Sequence, residues 1–169
     1  EVIVADPTFH AYENTAEKMG AGVVRIGLTE DYRLDSTHMT AAVTNQTKMI
    51  FVCNPNNPTG ILYPLASLEK LRDIVLKHDL YLFADEVYRE FVYEGQKHHS
   101  ILSFKELDNH AMVFDSISKR FSACGARIGC VVTRNKAVMD TILKYAQARL
   151  SPPSMGQIGA EAVYDLPQS

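Results

Sequence analysis

Residues 48–60 read KMIFVCNPNNPTG, an apolar run that passes directly into two Asn-Pro steps and a glycine. An unbroken apolar run of this length reads as a strand, residues 48–53, that is covered on both faces. Strands of that kind belong to parallel sheets flanked by helices, so the neighbouring sequence has to supply more of them, with helices between. The two prolines fix the path of the chain as it leaves the sheet, and Gly60 permits the turn that follows.

Working outward, residues 2–5 and 22–26 read as strands, with a helix around 12–19 between them and a shorter helix over 36–43. Downstream, residues 65–77 put Leu68, Leu71, Ile74 and Val75 on one helical face. Further strands at 80–84, 111–115 and 128–132 and a helix over 136–150 continue the alternation. The pattern predicts an α/β fold: three layers, a mostly parallel, doubly wound sheet, and helices on both faces. The pair Pro152-Pro153 reads as a stiff connector to whatever follows.

Composition limits the function. With 169 residues, 46% hydrophobic and 22% charged, the chain is long enough for a sizeable core and is not of disordered composition. A formal net charge of -3 gives no general attraction to nucleic acid or anionic membrane, which leaves small molecules and other protein chains as partners. Cys53, Cys124 and Cys130 lie in or beside apolar runs and are read as reduced core residues, as a cytoplasmic location would allow. No apolar run approaches the ~20 residues of a membrane span. The chain opens EVIVADPTF without a methionine and closes DLPQS, and is expected to be a piece of a longer one.

In a doubly wound sheet ligands gather beyond the carboxyl ends of the strands. There the sequence places Phe9 after the first strand, Asn54 to Gly60 after the third, Asp85-Glu86-Val87-Tyr88 after the fourth, and Asp115-Ser116-Ile117-Ser118-Lys119 after the fifth. Arg127 follows eight residues beyond Lys119. One edge thus collects an aromatic ring, an amide, a carboxylate, a phenol, hydroxyls, an amine and a guanidinium.

In order and spacing, NPNNPTG, ADEVY and SISKRFSACGARIG resemble the large domain of the class I/II aminotransferases, the pyridoxal-phosphate-dependent enzymes of fold type I. Residues 147–153 are similar to aspartate-aminotransferase-like members. The resemblance implies pyridoxal 5'-phosphate as cofactor and an amino acid and a 2-oxo acid as substrates. It makes Lys119 the catalytic lysine, which forms a Schiff base with the cofactor's aldehyde and then, once freed, moves a proton as base and acid. Asp85 maps to the aspartate beneath the pyridine nitrogen, where a carboxylate favours the protonated ring and strengthens its pull on electrons. Tyr88 and Asn57 map to the residues that hydrogen-bond the phenolic oxygen, and Ser116 and Arg127 to the phosphate ligands, with Ser118 a third. Phe9 maps to the ring stacked on the pyridine.

Plainer readings stand beside these: a surface lysine for Lys119, a turn or cap aspartate for Asp85, a core ring for Phe9. Glu86 is expected to point away from Asp85, and Tyr12, near the same face as Phe9, is not counted in the site. Asn54 and Asn56 are expected to satisfy turn backbone. His98-His99 and the group Asp31, Asp35, His38 lack metal-ligand spacing and read as exposed loop residues. Gly20-Ala21-Gly22 precedes a strand and reads as a turn, not a dinucleotide loop.

The family resemblance also implies parts outside these 169 residues: an N-terminal arm, a glycine-containing phosphate loop, a C-terminal small domain with a carboxylate-binding arginine, and a homodimeric partner. The chain is therefore expected to hold most cofactor-anchoring residues without efficient transamination by itself. A lyase, decarboxylase or synthase on the same scaffold, or a non-catalytic binding module, remain alternatives, because fold and cofactor do not fix which bond breaks.

Overall fold

In a computed structural model, which describes residues 1–163, the central apolar run forms β3 (Met49–Cys53) in the middle of a six-stranded sheet. Its companions are β1 (Val2–Asp6), β2 (Val23–Gly27), β4 (Tyr81–Asp85), β5 (Ala111–Ser116) and β6 (Gly129–Thr133). They lie in the order β2-β1-β3-β4-β5-β6, and the chain reverses its winding between β1 and β3. The first five strands are mutually parallel, and β6 runs antiparallel to β5. Residues 117–128 join β5 to β6 with a single helical turn and a 3-10 turn, without the longer helix that usually carries a crossover to a parallel partner.

The helices are α1 (Ala11–Lys18), α2 (Ser36–Ala42), α3 (Leu65–His78), α4 (Ile117–Arg120), α5 (Lys136–Arg149) and α6 (Ser154–Ala162). On α3 the buried residues are Leu68, Leu71, Ile74 and Val75, the face read from their spacing. α6 follows the Pro152-Pro153 connector, over residues to which the sequence reading gave no element. Its interior glycines, Gly156 and Gly159, lower helix propensity and hide it from a propensity reading. No helix among the described residues is long and apolar enough to cross a membrane.

Side chains alternate across a strand, and this divides the sheet into two unlike faces. Ile3, Ala5, Ile50, Val52, Leu82, Ala84, Ala111 and Val113 point into one continuous core with Met39 of α2, the buried face of α3, and Ile101 and Leu107 of two 3-10 turns. The opposite face carries a row of rings: Phe51, Phe83 and Phe114, with centroids 4.8 and 5.5 Å apart. The cysteines divide likewise. Cys53 is buried as expected, but Cys130 is exposed on the uncovered side of the edge strand β6, and Cys124 is exposed in the 3-10 turn Cys124–Ala126.

Candidate functional site

The pleat decides which acid of the Asp85-Glu86 pair faces which way. Asp85 follows Phe83 by two and shares its face, so it meets α1; Glu86, one further on, goes into the opposite layer. Tyr12 on α1 donates from its hydroxyl to Asp85 Oδ2 across 2.6 Å, and the Val87 amide donates to Oδ1 at 3.1 Å. The Tyr12 ring lies nearly parallel to Phe51, 5.6 Å away, and Phe9 meets it edge-on at the same distance. Burial, reinforced by the neighbouring Cys53 and Asp85, pushes the Tyr12 phenol far above its ordinary range, so it stays a donor.

Tyr12 therefore belongs with the site residues. The signal was there: it stands three residues after Phe9, the spacing that stacks side chains on one side of a helix start. Phe9 itself is 45% exposed, which removes the reading as a core ring. A cleft of about 530 Å³ runs along this face, walled by Tyr12, Met49, Phe51, Phe83, Asp85 and Phe114.

After β3 the three asparagines separate. Asn54 is buried and its Oδ1 accepts from the Tyr63 amide at 2.8 Å. Asn56 is also buried, donating from Nδ2 to the Pro7 carbonyl and to Thr59 Oγ1. Both serve the turn, as read from the sequence. Asn57 is half-buried and lines a smaller cleft together with Tyr88, Pro55 and Phe91. The peptides Asp6-Pro7, Asn54-Pro55 and Asn57-Pro58 are cis.

Glu86 is 1% exposed. Its Oε1 accepts from the Ile101 amide at 2.9 Å, its Oε2 has no hydrogen-bond partner among the described residues, and burial pushes the carboxyl up to about 7. His98 lies 4.0 Å from Oε2 through its Nε2, which pairs with the Asn54 carbonyl at 3.1 Å. The His98 side chain is 10% exposed, so it is not the open loop residue expected, and burial lowers its pKa. The backbone fold of residues 87–100 brings it back beneath the β3 turn.

β5 ends in Ser116, which caps α4 by accepting from the Ser118 amide at 3.0 Å. Its hydroxyl has one proton to share between Ser118 Oγ at 2.7 Å and the Ile128 carbonyl at 2.9 Å. Lys119 sits on α4 with Nζ 5.6 Å from the centroid of the Tyr88 ring, a cation-π distance. Arg127 occupies a left-handed position, φ 57°, and its Nη1 donates to the Cys124 carbonyl at 3.0 Å.

The structure thus brings Lys119 to Tyr88, Tyr88 to Asn57, and Ser116 to Ser118, and links Phe9 to Asp85 through Tyr12. The exposed guanidinium of Arg127 makes no hydrogen bond to either serine.

A family model described as aminotransferase class I and II matches residues 1–169. An aspartate aminotransferase of Sulfurisphaera tokodaii is 31% identical over 98% of the chain, which spans 42% of that protein. Among solved structures, an aspartate aminotransferase double mutant from Thermus thermophilus superposes with a TM-score of 0.85 at 30% identity, covering 92% of this chain and 41% of that one. Cystalysin from Treponema denticola, whose structure contains a pyridoxal 5'-phosphate cofactor, gives a TM-score of 0.86 at 25% identity, with the same two shares. The chain spans about two fifths of the length of these relatives.

Proposed function

We propose that this chain, which belongs to the aminotransferase class I and II family, is the cofactor-holding large domain of an enzyme that moves an amino group from an amino acid to a 2-oxo acid. The observation that carries the reading is the meeting of Lys119 with Tyr88 at the sheet edge where Asp85 is held by Tyr12.

The residues fit pyridoxal 5'-phosphate by the donors they leave free. The Asn57 amide and the Tyr88 hydroxyl border one cleft without a hydrogen bond among the described residues, a matched pair for an anionic oxygen. Arg127 commits a single N–H to Cys124, leaving four donors for a phosphate. Ser116 can reach the same group by turning its proton away from Ile128. When bound, the cofactor supplies the aldehyde and the electron-withdrawing ring. Lys119 would provide the amine for the aldehyde and, as a free amine, would hold and move the proton of the substrate's α-carbon. Asp85, fixed by Tyr12 and the Val87 amide, would hold the ring nitrogen and favour its protonated form. Phe9, exposed beside Tyr12, covers the ring.

The parent enzyme is read as a cytoplasmic homodimer, and the lone chain as able to anchor the cofactor without efficient turnover. Mixing the chain with pyridoxal 5'-phosphate tests the anchoring: a lysine-dependent visible band near ~420 nm is expected, and Lys119→Ala removes it. A wild-type chain without that band refutes the anchoring. Turnover with an amino acid and a 2-oxo acid that approaches a full-length relative's refutes the claim of incompleteness.

A further inference from the structure

Tyr88 and Lys119 come from different strand ends, and two ion pairs join the segments that carry them. Arg89 Nη2 lies 2.7 Å from Asp115 Oδ2, and Arg120 Nε lies 3.3 Å from Glu90 Oε1. Arg89 Nε stands 3.6 Å from that same Glu90 oxygen, so charge alternates along one line: Asp115, Arg89, Glu90, Arg120. Arg89 directly follows Tyr88, and Arg120 directly follows Lys119. Asp115 is the innermost member, 12% exposed at its side chain, and its Oδ1 also accepts from the Ser116 amide at 2.8 Å.

We propose that Arg89 and Asp115 are positioning residues whose bridge holds the Tyr88 ring against the Lys119 ammonium, with Glu90 and Arg120 as an outer rung. The inference rests on reading Lys119 as the amine that takes the cofactor's aldehyde. The tyrosine ring attracts the ammonium and covers one side of it, and the ring's hydroxyl moves with it. One bridge therefore sets both the cover over the lysine and the place of the phenol. The inner pair does most of this, since the outer pair includes a half-exposed Glu90 and is weakened by water and salt.

The bridge is tested by limited acetylation of the whole chain with acetic anhydride, reading Lys119 against the exposed Lys144 of α5 by peptide mass spectrometry. Arg89→Met and Asp115→Asn remove charges of opposite sign. A direct field effect on Lys119 would move its rate in opposite directions. Loss of the bridge raises it in both, by about threefold, as Tyr88→Leu does by deleting the ring. Adding Arg89→Met to Tyr88→Leu gives no further rise, which decides the matter even if Asp115→Asn does not fold. Opposite-signed changes, unchanged rates in the single variants, or a further rise in the double variant overturn the proposal. Borohydride trapping of pyridoxal 5'-phosphate on Lys119 runs alongside: its failure in the wild type sinks the cofactor reading, while the acetylation ratios still decide the bridge.

Discussion

The Tyr12 hydroxyl reaches from α1 to Asp85 at the end of β4, and the 2.6 Å bond between them joins residues 73 positions apart. Tyr12→Phe keeps the ring on Phe51 and removes only that donor. It is expected to lower stability by about 1–2 kcal/mol, as for a partly buried hydrogen bond to a charged group. A urea midpoint equal to the wild type's would show that the bond contributes nothing net.

Glu86 gives stability a dependence on pH. Its folded value, about 7, lies above the ordinary 4.5, so between these the native chain holds a proton that the unfolded chain has released. The contribution is complete below about 4.5 and lost by the time pH has risen through about 7. Its ceiling is roughly 3 kcal/mol. Glu86→Gln has no such proton, so the wild-type-minus-variant difference in unfolding free energy should fall across that window. A flat difference would rule out the raised carboxyl.

Two asparagines of one turn should respond unequally to the same substitution. Asn54→Ala strands the buried Tyr63 amide and is expected to cost about 1–3 kcal/mol in thermal or urea unfolding. Asn57→Ala, at a half-buried position without a side-chain bond among the described residues, should cost less than about 0.5 kcal/mol. The same variant should still weaken cofactor retention on dialysis. Equal stability losses would contradict this division.

Gly156 of α6 packs so closely on the turn before Arg127 that an added Cβ would lie 2.8 Å from the Ala126 carbonyl. A backbone atom cannot swing away, so Gly156→Ala should lift α6 from that turn at a cost of about 1–3 kcal/mol. Limited proteolysis between α5 and α6 reads the change directly; unaltered cleavage would mean the helix accommodates the methyl.

Much of the sheet was legible because its signals are local. Six strands and four of the helices fall within a residue or two of the bounds set by apolar runs and by the Leu68-Leu71-Ile74-Val75 spacing. The direction of β6 was not, since it follows from the lack of a crossover helix between it and β5 rather than from its own composition. α6 was lost to its glycines. At the site, residue types after each strand were readable, but not their tertiary partners. His98 looked like an open loop residue until residues 87–100 folded it onto Asn54, and Tyr12 became a site residue only through Asp85.

The opposed acids at the end of β4 also limit what lengths the strand can have. Removing or inserting one residue in β4 would exchange the two, sending the longer glutamate toward α1 and the shorter aspartate into the layer that holds Ile101. A change of two residues would restore the faces but displace both acids by about 6.6 Å along the sheet, away from Tyr12. β4 should therefore tolerate substitutions along its length far better than any change in its count of residues.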